Sequence, residues 1–131
     1  MTMPTLVLID TCIWVQFFNS RRSAEKAAVD ALLKEDRATL IGPILSEILL
    51  GFRHDDQADW VASELRGVRW LEVGWLDWQH AANLGRSLAA SGHKLPLSDL
   101  VVASVALTGD AEVYTTDPHF DVIPGLRRFV R

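Results

Sequence analysis

The chain has 131 residues, 49% of them hydrophobic and 23% charged, with a formal net charge of −4. That length suits a single domain, residues 1–131, with a sizeable core, and the acid excess speaks against a protein that holds nucleic acid by a broad basic surface. No apolar run nears the ~18 residues that span a bilayer, Met-Thr-Met-Pro lacks a basic leader region, and the one cysteine, Cys12, excludes an internal disulfide, so a soluble cytoplasmic protein is expected.

Leu6-Val7-Leu8-Ile9 reads as a strand covered on both faces, as in a parallel sheet, and it runs directly into Asp10. A carboxylate at such a strand end is either a site residue or a simple loop cap. Ile13 to Phe18 begins a short helix, with Asn19-Ser20-Arg21-Arg22 as its exit. Ser23 caps a second helix whose Ala24, Ala27, Ala28, Ala31 and Leu32 share one face. Lys26, Asp30 and Lys34 at i,i+4 spacing make a solvated face.

Ala38-Thr39-Leu40-Ile41 is a second strand, stopped by Gly42-Pro43, and Pro43 opens a helix to about Leu50. Glu47 interrupts an otherwise apolar run there. It is either an exposed surface acid or a carboxylate that needs a partner or a cation. His54 to Arg66 is a further helix, and Asp55, Asp56 and Asp59 near its start suit the helix dipole. Arg69-Trp70-Leu71-Glu72-Val73 is a third strand, followed by a helix from about Leu76 to Ser91. His80 has no histidine or cysteine at ligand spacing and is read as structural. The five tryptophans, Trp14, Trp60, Trp70, Trp75 and Trp78, are expected mainly in the core, with an interface role for some as the alternative.

Ser98 is expected to cap the next helix, with Asp99 in its first turn heading a stripe of Val102, Ala103 and Ala106. Helix capping alone would also account for an acid there. Glu112-Val113-Tyr114-Thr115 is a fourth strand and again leads to an acid, in Thr116-Asp117-Pro118-His119-Phe120. Arg128-Phe129-Val130 is expected to add an edge strand.

Strands alternating with helices imply right-handed βαβ units and a parallel sheet between helical layers. In that architecture Asp10 and Asp117 end strands, Asp99 opens a helix, and Glu47 lies early in a helix, all at one rim. Carboxylates so gathered raise one another's pKa and titrate as a group. Cations relieve them, and oxygen donors select Mg²⁺ or Mn²⁺ over zinc. Such ions suit phosphodiester hydrolysis by a metal-activated water, and their charge offsets the overall acidity of a nuclease.

Leu8-Ile9-Asp10-Thr11, Ser46-Glu47 on a Pro-led helix, Ser98-Asp99 before an Ala-rich helix, and Thr115-Thr116-Asp117-Pro118-His119-Phe120 together resemble a PIN domain. Their spacing and the small size are most similar to the VapC-type toxins of type II toxin–antitoxin pairs. Each motif is weak alone; the ordered set, covering nearly the whole chain, is specific. The resemblance implies an α/β fold, a three-layer α/β/α sandwich with a mostly parallel sheet of four to five strands. It implies a Mg²⁺-dependent endoribonuclease, with Mn²⁺ able to substitute. Asp10, Glu47, Asp99 and Asp117 would be its catalytic and metal-binding acids, and Thr115 the hydroxyl supporting them. It also implies an RNA substrate, a VapB-type antitoxin whose tail enters the active-site groove, and commonly a homodimer. Cys12 stands where many relatives carry Ser, a change expected to leave the metal site intact. His119 stands where some carry a further acid.

Rival readings fit less well. A haloacid-dehalogenase-like phosphatase needs a second Asp at the position of Cys12, no P-loop motif occurs, and a phosphorelay receiver leaves Glu47 and Asp99 unexplained. A non-catalytic PIN-fold RNA-binding or regulatory module is the alternative from another class. Arg53, Arg86 and Lys94 are the basic residues placed to meet phosphates, with a solvated surface role as the alternative.

Overall fold

The computed structural model describes residues 4–19 and 21–131. Met1, Thr2 and Met3 of the N-terminal start, and Ser20 of the expected helix exit, lie outside the described residues. In chain order the elements are β1 (Val7–Ile9), α1 (Thr11–Asn19), α2 (Ala24–Lys34), β2 (Ala38–Leu40), α3 (Gly42–Leu50), α4 (Asp55–Leu65), β3 (Arg69–Trp70), α5 (Trp75–Ala90), α6 (Leu97–Thr108) and β4 (Glu112–Tyr114). A 3₁₀ turn over Pro118–Val122 follows.

The four strands form one sheet in the order β3-β2-β1-β4, and every pairing is parallel. Val7, Leu8 and Ile9 are fully buried, as a central strand between two helical layers requires. Removing each such side chain from water contributes about 1.5–3 kcal/mol. From β1 the chain builds outward through β2 to β3, then returns to lay β4 on the other side of β1. This reversal puts the topological switch point between β1 and β4, where an open α/β sheet leaves a crevice beyond its carboxyl ends.

Helix α6 is buried without a break from Asp99 to Ala106, so its hydrophobicity is not confined to one stripe. It packs most extensively on α5. The contact is close enough that a Cβ on Gly85 would meet Leu100 Cδ1 at 2.8 Å. Ser23 caps α2 as expected, its Oγ accepting from the Lys26 amide at 3.0 Å.

Several elements depart from the sequence reading. The third strand is two residues rather than five, because β2 ends at Leu40 and Leu71 donates the last ladder hydrogen bond to the Leu40 carbonyl. The expected edge strand at Arg128-Phe129-Val130 is reduced to a single parallel bridge between Arg128 and Val113. Ser98 is not the cap of α6. Pro96, extended at φ −59° and ψ 149°, takes that position, and Leu97 begins the helix. Helix α1 begins at Thr11 rather than Ile13, since the Asp10 carbonyl already accepts from the amides of Ile13 and Trp14.

The tryptophans differ most from expectation. Trp14 is buried, but Trp60, Trp70, Trp75 and Trp78 are 44–76% exposed. Trp75 and Leu76 open α5 at the surface, while Trp70, on the edge strand, lies near Leu45 of α3 and Leu65 of α4 yet keeps 44% of its surface exposed. Among the described residues no helix is long and apolar enough to cross a membrane.

Candidate active site

Asp10 follows the last residue of β1 and is 6% exposed. Its amide donates to the Tyr114 carbonyl at 2.9 Å, continuing the β1–β4 ladder by one rung. Its side chain is held from both sides. Oδ1 accepts from the Thr11 amide at 2.8 Å, and Oδ2 accepts from the Thr115 hydroxyl at 2.7 Å. Thr115, also buried, sits just past β4 and its Oγ1 accepts in turn from the Asp117 amide at 2.9 Å. Because β1 and β4 are neighbours, residues 105 apart in sequence become direct hydrogen-bond partners.

Asp117 caps the 3₁₀ turn, its Oδ1 accepting from the His119 amide at 2.9 Å, an Asx-type turn suited to Asp-Pro. The His119 ring folds back over this turn. Its Nδ1 lies 2.8 Å from Asp99 Oδ2 and 3.4 Å from Asp117 Oδ1. Asp99 is held in the first turn of α6, where the helix dipole favours a carboxylate. Glu47, exposed on α3, accepts from the Thr11 hydroxyl at 3.0 Å.

A single run of hydrogen bonds therefore passes from Glu47 through Thr11, Asp10, Thr115, Asp117 and His119 to Asp99. All four acids and the threonine singled out from sequence belong to it. Two of its members, Thr11 and His119, were not assigned as site residues from sequence. The Asp-Pro-His turn signalled where His119 would sit, but its contact with Asp99 crosses 20 residues and has no local signature.

The electrostatics follow from this crowding. Burial pushes the Asp99 carboxyl above its ordinary value, and the charges of Asp10 and Asp117 push the same way, while the His119 hydrogen bond opposes them. The hydrogen bond to Asp99 lifts the His119 imidazole above its usual value, aided by the Asp117 charge. Among the described residues, Asp99, Asp117 and His119 form the group whose ligand atoms all lie within 4.8 Å of one another. Asp10 and Glu47 stand outside that tight cluster. Cys12 Sγ lies 3.7 Å from Asp10 Oδ2, and 3.5 Å from Thr116 Oγ1.

Arg53, Arg86 and Lys94 are all exposed. Arg53 lines a cavity of about 650 Å³ between α1, α3 and α4, with Phe18, Ile48, Phe52 and Trp60. None of the four acids lines that cavity, so the carboxylates define the candidate site.

Comparison with known proteins agrees with this fold. Residues 7–126 match the PIN domain family. Ribonuclease VapC11 of Mycobacterium tuberculosis and a VapC ribonuclease of Mycobacterium bovis are each 30% identical over 122 residues, covering 90% of this chain and 91% of theirs. Among solved structures, VapBC2 from Rickettsia felis bound to a DNA fragment from its promoter aligns with a TM-score of 0.82 at 19% identity, over 95% of this chain and 98% of that one. DNA-bound VapBC from Salmonella typhimurium aligns at 0.80 and 19% identity, over 96% and 98%. The match over nearly the whole chain, the parallel sheet in order β3-β2-β1-β4 and the acids at its switch point agree: this chain belongs to the PIN domain family, among its VapC members.

Proposed function

We propose that this protein is a Mg²⁺-dependent endoribonuclease toxin, with Mn²⁺ able to substitute, that hydrolyses RNA phosphodiester bonds and is neutralised by a VapB-type antitoxin. The observation that carries the reading is the hydrogen-bonded run that joins Glu47, Asp10, Asp117 and Asp99 at the carboxyl edge of the sheet. Relatives named ribonucleases, and structural neighbours solved as VapBC assemblies, support it.

The donor set fits a small, hard cation. It is rich in carboxylate oxygens, and Asp99 already feels two neighbouring negative charges that a divalent ion would relieve. Asp10, Glu47, Asp99 and Asp117 would hold Mg²⁺. When bound, the ion supplies acidity to a water molecule and offsets charge on phosphoryl oxygens.

The chain's own residues do the positioning. The Thr11 amide and the Thr115 hydroxyl fix the Asp10 carboxylate in one orientation. Thr115 also anchors the Asp117 amide, so one hydroxyl ties the segment after β4 to the end of β1. Thr11 ties Glu47 on α3 to the same strand end. Arg53, Arg86 and Lys94 supply exposed positive charge for RNA phosphates, and with so few cations recognition rests on RNA shape and splayed bases. The working form is a cytoplasmic homodimer.

Purified, antitoxin-free protein incubated with an RNA mixture should cleave it with Mg²⁺ or Mn²⁺ and stop when chelator is added. Asp99→Asn should keep the far-UV circular dichroism of the parent and lose cleavage. Undiminished cleavage by that variant, or in excess chelator, would sink the reading. RNA binding without cleavage under either ion would point instead to a non-catalytic RNA-binding module.

A further inference from the structure

We propose that His119 is a nitrogen ligand of this metal site and tilts its ion preference from Mg²⁺ toward Mn²⁺. The inference rests on the metal reading above but concerns a residue outside the four acids.

Three donors lie closest together at the rim. The tight cluster is Asp99, Asp117 and His119, two of the four acids plus an imidazole. The Asp10 carboxylate is engaged on Oδ1 by the Thr11 amide and on Oδ2 by the Thr115 hydroxyl, and Glu47 is held by Thr11. An octahedral ion with bonds of about 2.1 Å places adjacent donor atoms about 3.0 Å apart. His119 Nδ1 lies 2.8 Å from Asp99 Oδ2 and 3.4 Å from Asp117 Oδ1, either side of that spacing.

The ring is also held for the task. Its own amide donates to Asp117 Oδ1, so the backbone that carries the imidazole is fixed to one of the acids it would share an ion with. The side chain is 46% exposed, which leaves the ring open to an incoming ion. The next acid along the turn, Asp121, does not compete for the place, being paired with Arg128.

Ion chemistry then sets the direction. Mg²⁺ takes oxygen donors almost exclusively, whereas imidazole suits first-row transition ions. Mn²⁺ accepts an oxygen-rich octahedral set together with one nitrogen. Replacing an oxygen donor by imidazole at this position therefore costs Mg²⁺ more than Mn²⁺.

The test is Mn²⁺ titration of the full-length, metal-free protein followed by electron paramagnetic resonance, with Mg²⁺ competition, on the parent and on His119→Gln. Pulsed measurements on the same samples read nitrogen hyperfine coupling to bound Mn²⁺. The parent should show that coupling. His119→Gln should lose it and bind Mn²⁺ at least about tenfold more weakly, since even indirect partners of a metal site are worth 10–100-fold. Its Mg²⁺ affinity should change less. His119→Asp, which restores an oxygen donor, should bind Mg²⁺ more tightly than the parent, without nitrogen coupling. Mn²⁺ bound by the parent with no nitrogen coupling, or coupling and affinity unchanged in His119→Gln, overturns the role of His119 and leaves the metal reading standing. A parent protein that binds neither ion overturns both.

Discussion

Thr115→Val is the most informative single change. The substitution keeps the β-branched shape and deletes only the hydroxyl, which donates to Asp10 Oδ2 at 2.7 Å and accepts from the Asp117 amide at 2.9 Å. Both Thr115 and Asp10 are buried, at 7% and 6% exposure, so water cannot fully replace the lost partner. A hydrogen bond to a charged group is worth about 1.5–3 kcal/mol, and a typical neutral one about 0.5–1.5 kcal/mol. Loss of both should therefore cost about 2–4.5 kcal/mol of stability. For a chain of this size each kcal/mol moves the midpoint by about 3–5 °C, so the melting temperature should fall by roughly 6–22 °C. The assay is thermal unfolding of the metal-free protein by circular dichroism at neutral pH, with Thr115→Ser as control. The serine variant retains the hydroxyl and should recover most of the loss. A valine variant that melts within about 2 °C of the parent would refute the idea that this hydroxyl ties β1 to β4.

Three further outcomes follow from the same geometry. Asp99→Asn should raise the melting temperature of the metal-free protein near neutral pH, because it removes a buried charge facing Asp10 and Asp117; a fall in the midpoint would contradict the repulsion argument. Both raised groups, Asp99 and His119, bind protons more tightly folded than unfolded, so their stabilising contribution is present at low pH and lost as pH rises through their folded values. Urea midpoints in chelator should accordingly decline from about pH 5 to about pH 8, and saturating Mn²⁺ should restore the loss; a rise over that range would mean that the unfolded chain binds these protons more tightly than the folded one. Finally, Trp60, Trp70, Trp75 and Trp78 are exposed, so acrylamide should quench most of the tryptophan emission of the free protein. Quenching confined to a minor fraction would show these rings covered in solution.

Much of the architecture was legible along the chain, for a physical reason. Element type is encoded by local periodicity and by punctuating residues. Val7-Leu8-Ile9 reads as a strand covered on both faces because it is one, and Gly42-Pro43 marks a strand-to-helix junction through the fixed backbone of proline. The acids were legible because Asp10 and Asp117 follow strands, Asp99 falls in the first turn of a helix, and Glu47 interrupts an apolar helical run. Tryptophan burial was not, because an aromatic at a helix start reads the same whether or not another layer covers it, and for Trp75 none does.

By itself, then, the sequence determined that strands and helices alternate, that the sheet is parallel, and that Asp10, Glu47, Asp99 and Asp117 arrive at one rim. Only the tertiary structure decided how they meet there. The return of β4 to the free side of β1 sets Thr115 against Asp10, and the Asp117-capped turn swings His119 onto Asp99. Those contacts cross 105 and 20 residues. They depend on strand order and register rather than on any local preference, so no window of sequence carries them.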